Sequence, residues 1–239
     1  MPLPVRGACL LASALTLVAT IGCASVSSSD TAARAAGGGS PSAARGRLFI
    51  VGGGPQPPAL VREFVDLAGG AGRARIIVFA MASSDGAASG DEKARDLRAL
   101  GATALNVFVN SAQANTDSVA HLLDGATGVW FGGGDQVLLA RALRGTRTER
   151  AIHDRYAAGA VIGGTSAGAA VMSAQMITGD ERHPGGARPP SDSSDAFMTI
   201  ARDNIVVDSG FALLTNAIVD QHFVRRKRHN RLLSLVLEH

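Results

Sequence analysis

Ser166 stands inside "VIGGTSAGAAVM" (161–172), one hydroxyl between Gly164 and Gly168 at the point where an apolar run gives out. Val161 and Ile162 read as the end of a buried strand and Ala167 to Met172 as the start of a helix, which predicts Ser166 on the sharp turn between them. The G-x-S-x-G spacing is how a nucleophilic hydroxyl is displayed. Small neighbours let the backbone bend tightly and present the side chain at a helix N-terminus. Two other roles fit the same five residues: a serine that caps the helix, or a glycine-rich loop that holds an anion.

A serine nucleophile needs a base to take its proton. Of the six histidines, His121, His153 and His183 fall in helix-like or loop stretches where a solvated role is expected, His229 lies in a charge run, and His239 is the last residue. His222 follows "AIVD" at the end of an apolar run, which puts it on the same sheet edge as Ser166 if that run is a strand. A structural histidine hydrogen-bonded at a strand end would read the same way. The glycine cluster in "WFGGGDQ" (130–136) supplies backbone N–H groups near Gly134, and Ala167 supplies another just after the serine. Together they are the donors an oxyanion hole requires. No metal-ligand spacing occurs in the chain.

Beyond His222 comes "RRKRHNR", in which Arg225, Arg226, Lys227, Arg228 and Arg231 place five of the 23 basic residues within seven positions. Such a run is a solvated face, a nucleic-acid surface or a clamp for carboxylates. Aromatic residues make up 4% of the chain and none interleaves the run, which argues against nucleic acid. Guanidinium groups so close to a base suit the binding of a substrate carboxylate in fork geometry. Arg228 and Arg231, at i and i+3, share a face if this stretch is helical.

The elements that must hold these residues follow from the apolar runs. "RLFIVGGG", "RARIIVFAM", "ALNVFV", "TGVWFGGG", "GAVIGGTSAG" and "NAIVDQHF" each carry a short β-branched or aromatic centre bounded by glycine or polar residues, and are predicted as strands buried on both faces. Between them "PALVREFVDLAG", "GDEKARDLRALG", "TDSVAHLLDG" and "DQVLLARALRG" have helical spacing and end in glycine. Strand alternating with helix predicts an α/β fold, a mostly parallel sheet covered by helices on both faces. In such sheets the ligand site lies beyond the carboxyl ends of the strands. The cluster Gly52 to Gly54 falls there too, but the third glycine of a dinucleotide fingerprint is replaced by Pro57, so no nucleotide cofactor is expected.

Composition bounds the remainder. At 239 residues, 46% hydrophobic and net charge +3, most of the chain should be one globular domain. The first residues differ: "ACLLASALTLVATI" (8–21) is an uncharged apolar run, too short to span a bilayer comfortably and suited to a signal-peptide core. Both cysteines, Cys9 and Cys23, lie in this segment, and "TIGC" resembles a bacterial lipoprotein box with Cys23 as the lipidated residue. The expected organisation is a leader over 1–23, a Ser/Ala/Gly-rich tether over 24–46 and a folded domain over 47–239. The expected location is periplasmic or extracellular, on a bacterial membrane only through the lipid.

"FGGGDQ", "GGTSAGAAVMS" and "VDQHF..R.R..RL", in that order and at these separations, resemble the cyanophycinase-like serine peptidases, which share the fold of the class I glutamine amidotransferases with a serine in place of the cysteine. The resemblance runs from about Leu48 to the end of the chain. It implies hydrolysis of cyanophycin or related β-aspartyl peptides without a cofactor, and is compatible with a homodimer. It implies Ser166 as nucleophile and His222 as base, with Asp135 and Gln136 bordering the pocket. Asp220, Gln221, Arg226, Arg228 and Arg231 match the residues that shape recognition of aspartyl carboxylates.

Two departures stand out. The family commonly has a basic residue shortly after "GGDQ", where this chain has "VLLA" (137–140). Its third catalytic residue is usually a Glu well downstream of the histidine, which would lie beyond residue 239. The expectation is therefore a domain cut short and of weak turnover, with Asp220 the only nearby substitute acid. Two other functions stay open: an acidic-peptide-binding lipoprotein of the same fold, and an α/β-hydrolase esterase whose acid, Asp203 or Asp208, precedes the histidine.

Overall fold

The computed structural model describes residues 46–182 and 200–238. The leader, Cys23, the tether up to residue 45, His183 and His239 lie outside the described residues. The elements are β1 (Arg47–Val51), α1 (Pro58–Leu67), β2 (Arg75–Phe79), α2 (Gly86–Ala99), β3 (Thr103–Asn106), α3 (Ser111–Ala114), α4 (Asp117–Ala120) with a 3-10 turn over His121–Leu123, β4 (Gly128–Phe131), α5 (Gln136–Leu143), α6 (Arg147–Ala157), β5 (Val161–Thr165), α7 (Ala167–Ala170), β6 (Gln175–Glu181), β7 (Ile205–Ser209) and α8 (His229–Glu238).

β1 to β5 form one sheet in the order β1-β5-β4-β2-β3, every pair parallel. Side chains alternate across a strand, so a sheet covered on both faces needs apolar residues at successive positions. "RIIVF" of β2 and "GVWF" of β4 meet that need. Ile77, Phe79, Val129 and Phe131 face one core with Leu139 and Leu143 of α5, Ile152 of α6 and Ala167 of α7. Ile76, Val78 and Trp130 face a second core with Val61, Phe64 and Val65 of α1 and Leu97 of α2. Phe64 meets Trp130 edge-on with ring centroids 4.9 Å apart, a geometry worth about 0.5–1.5 kcal/mol beyond simple burial.

Because the five strands are parallel, their carboxyl ends lie on one edge. β1, β5 and β4 are immediate neighbours, so the loop at Gly52–Gly54, the turn at Ser166 and the loop at Gly132–Gly134 emerge side by side.

Five of the six predicted strands are present. The sixth, "NAIVDQHF" (216–223), is irregular. Its backbone is held by side chains and loops: Val219 N–H donates to Ser173 Oγ at 2.9 Å and His222 N–H to the Gly52 carbonyl at 2.7 Å. β6 and β7, which pair antiparallel in a separate two-stranded sheet, were not anticipated. Nor was α6, a charged helix burying only Thr148 and Ile152, too few to set an apolar period. Its local sign was the start: Thr146 accepts from Glu149 N–H, and the Glu149 carboxylate accepts from Gly145 N–H.

Candidate active site

Ser166 lies on the turn between β5 and α7 with φ 53° and ψ −113°. A non-glycine residue in that region costs on the order of 1–3 kcal/mol and persists only where its surroundings hold it there. They do so from both sides. Ser166 N–H donates to the Val51 carbonyl of β1 at 2.9 Å, and the Ser166 carbonyl accepts from the N–H groups of Ala169 and Ala170 at 3.0 Å each. A Cβ on Gly164 would strike the Gly168 carbonyl, and one on Gly168 would strike the Phe131 carbonyl. The flanking glycines of G-x-S-x-G thus let α7 fold back onto β5 and β4, which is what forces the serine outward.

His222 reaches this turn from the other side. Its Nε2 is 2.9 Å from Ser166 Oγ. It too has a left-handed backbone, φ 51°, fixed by the bond from its N–H to Gly52. The imidazole packs on Gly53, where a built Cβ would lie 2.5 Å from Cε1 and Nε2. Burial first, and then the guanidinium groups of Arg226, Arg228, Arg225 and Arg231 in that order, hold the His222 pKa below its usual value. All five influences disfavour imidazolium, so the ring is neutral at pH 7 and its Nε2 can accept the hydroxyl proton.

Around the pair, Gly133 comes up to Ser166, a built Cβ lying 3.6 Å from Ser166 Cβ, while Gly134 backs onto the Ala82 carbonyl with φ 135°. Ala167 opens α7, where a helix leaves its first N–H groups without an intrahelical acceptor. Asp135 caps α5, its carboxylate accepting from Val137 N–H at 2.8 Å. Gln136 does not border an open pocket: it is buried, and its amide donates to the carbonyls of Ile177 and Thr178 at 2.7 and 2.5 Å, tying α5 to β6.

The basic run divides sharply. Arg225, Arg226 and Lys227 are exposed, whereas Arg228 and Arg231 are buried. Arg231 forms a fork on Asp220, Nε to Oδ2 at 3.3 Å and the second nitrogen to Oδ1. Arg228 donates to the Gln221 carbonyl at 2.9 Å and to Gln221 Oε1 at 2.5 Å. Burial first, and then the charges of Arg231 and Arg226, push the Arg228 pKa down to about 10 against the opposing pull of Asp220. Asp220 is therefore no triad acid. Its oxygens accept from Arg231 and from its own neighbour, Gln221 N–H at 2.6 Å, and no bond joins it to the His222 ring. Of the two esterase candidates, Asp208 is engaged elsewhere, its carboxylate pairing with Arg144 at 2.9 Å. Among the described residues no three His, Cys, Asp or Glu side chains gather into a metal-ligand set.

Sequence reasoning tested Gly52–Gly54 only as a nucleotide loop and so missed its part here. The signal was its position, at the carboxyl end of a strand, the same criterion that selected Gly132–Gly134.

A parallel α/β sheet with a hydroxyl on a strained strand-to-helix turn, hydrogen-bonded to an imidazole at the carboxyl edge, defines a hydrolase architecture. Within that class the match is specific: the family model for peptidase family S51 covers residues 48–239, and the chain belongs to that family. A cyanophycinase of Trichormus variabilis is 31% identical over 205 residues, covering 83% of this chain and 64% of that protein. One from Geminocystis herdmanii is 30% identical over 201 residues, covering 82% and 68%. The chain thus spans just under two thirds of the length of the first of these. The crystal structure of a peptidase from an acI-B1 Actinobacterium shares the fold, with TM-score 0.57 and 19% identity over 78% of this chain and 71% of that one.

Proposed function

We propose that the chain is a serine peptidase acting on cyanophycin or related β-aspartyl peptides, with Ser166 as nucleophile and His222 as base. The observation that carries this reading is the 2.9 Å approach of Ser166 Oγ to His222 Nε2, made by two residues that both hold left-handed backbone to achieve it. In the reaction Ser166 Oγ attacks the scissile carbonyl carbon as its proton passes to Nε2. The tetrahedral oxyanion accepts from N–H groups at Ala167 and the Gly133–Gly134 turn, and Nε2–H then protonates the departing amine. Water repeats the sequence to free the enzyme. Arg226, exposed and the nearest in effect of the guanidinium groups acting on His222, is the group suited to a substrate carboxylate.

Relatives named cyanophycinase support the substrate class. The test is turnover of β-aspartyl-arginine by the purified chain, set beside a simple alkyl ester and beside Ser166→Ala. Release of arginine from the dipeptide, lost in Ser166→Ala, supports the reading. Binding without turnover would instead make the chain an acidic-peptide-binding protein of the same fold. The leader and Cys23 further support export to the outer face of a bacterial membrane, held by lipid.

A further inference from the structure

We infer that Arg228 and Arg231 are positioning residues for His222 and do not contact the substrate carboxylate; this rests on the reading of His222 as the base. His222 must meet Ser166 within a hydrogen bond, yet the segment that delivers it belongs to no sheet. Each of the three residues before it is instead fastened by a buried side chain. Val219 N–H donates to Ser173 Oγ, Asp220 lies in the fork of Arg231, and Gln221 offers both its carbonyl and its side-chain oxygen to Arg228. The burial is close to complete: the side chains of Arg231 and Asp220 are 0% and 6% exposed, and Arg228 as a residue is 8% exposed.

Geometry separates the two roles an arginine near a base can play. A guanidinium that binds substrate must present its fork to solvent until substrate arrives. These two direct donors at Asp220 and Gln221, the residues immediately preceding His222, from the turn before α8 and from its first helical turn. The chain from His222 to α8 is also turned by backbone bonds: His222 O accepts from the backbone N–H of Arg226 at 2.9 Å, and Phe223 O from the backbone N–H of Arg228 at 2.9 Å. Loosening Arg231 frees Asp220 and loosening Arg228 frees Gln221, which leaves the placing of the imidazole to the backbone bonds of His222 with Gly52 and Arg226.

The experiment uses the full chain and a probe without a carboxylate, a fluorophosphonate that phosphonylates an activated serine, alongside kcat and KM on β-aspartyl-arginine. The variants are Arg228→Lys, which keeps charge and loses the planar guanidinium, and the neutral pair Asp220→Asn with Arg231→Met, which removes both charges of the buried ion pair together. The expected result is a fall of about a hundredfold in labelling rate and in kcat for the neutral pair, the loss typical of an ångström-scale misplacement. KM should stay within about twofold, with a smaller fall of the same kind for Arg228→Lys. A KM rise of tenfold or more with unchanged labelling would overturn the positioning role and return both arginines to the substrate. If the neutral pair does not fold, Arg228→Lys carries the same two outcomes alone. Failure of the unaltered chain to label at Ser166 would overturn the Ser166–His222 reading itself, and with it this inference; labelling without turnover of the dipeptide would remove only the substrate class.

Discussion

Gly53 carries no chemistry, yet its replacement by alanine should disable the site. A Cβ there would lie 2.5 Å from His222 Cε1 and Nε2 and 2.9 Å from Nδ1. Carbon needs roughly 3.5 Å from a non-bonded neighbour, so the ring must retreat by about 1 Å. The His222 backbone is fastened to Gly52, so the retreat falls on side-chain torsions. Moving the ring that far while Ser166 stays fixed spoils the distance or the angle of the 2.9 Å hydrogen bond between them. A displacement of that size costs about a hundredfold in turnover, and complete loss of the base up to about 10⁴. The substitution also strains the backbone, since φ at Gly53 is 113°, for on the order of 1–3 kcal/mol of stability. Gly54→Ala separates the two effects. Its φ is 94° and a built Cβ there meets nothing within 4 Å, so it carries the strain without the collision. Measured by kcat, fluorophosphonate labelling and thermal melting, both variants should lose a few degrees of melting temperature, and only Gly53→Ala should lose activity. Equal activity losses in the two would refute the packing argument, as would near-normal turnover in Gly53→Ala.

The depressed pKa of His222 puts the acid limb of kcat/KM below its ordinary 6.5, because the neutral ring is the active form, and Arg226→Ala should move that limb upward by removing the foremost of the opposing charges. The same shift gives stability its sign: the folded state binds the proton less readily than the unfolded chain, so the contribution is whole above 6.5 and declines as pH falls through the folded value, which urea melts at graded pH would register. Gln136→Leu should cost about 1–3 kcal/mol in denaturant unfolding by removing the two bonds its buried amide donates to carbonyls of β6, with KM for β-aspartyl-arginine unchanged; a raised KM with normal stability would restore Gln136 to the substrate. Cys23→Ser should move the chain from the membrane to the soluble fraction of the expressing cell, and an unmodified wild-type N-terminus by mass spectrometry would contradict the lipid anchor.

What could be seen in the sequence follows from where each residue's partners lie. β2, β4 and β5 were legible because burial on both faces writes an unbroken apolar run, the edge strands β1 and β3, only partly buried, because their short apolar centres are bounded by glycine or polar residues, and Ser166 because the glycines that permit its turn are its neighbours in the chain. β6 was hidden because "QMITGDE" carries only two buried apolar residues, Met176 and Ile177, among polar ones, and β7 because its apolar run "IVV" stops at Asp208. "NAIVDQHF" was misread for the opposite reason: Ala217, Ile218 and Val219 look like a strand, but the segment is irregular, with Val219 N–H donating to the Ser173 side chain and His222 N–H to the Gly52 loop, partners that no local pattern reveals. The arginines mark the limit most clearly. A guanidinium that grips a substrate carboxylate and one that grips Asp220 use the same fork and the same charge, so residue type and spacing cannot tell them apart. Burial decides. Arg226 faces solvent within reach of His222's electrostatic field, Arg228 lies on Gln221, and Arg231 has no exposed side-chain surface at all. On the proposed reading one run thus holds two roles, with exposed Arg226 open to a substrate and the buried pair fastened to the residues that precede His222.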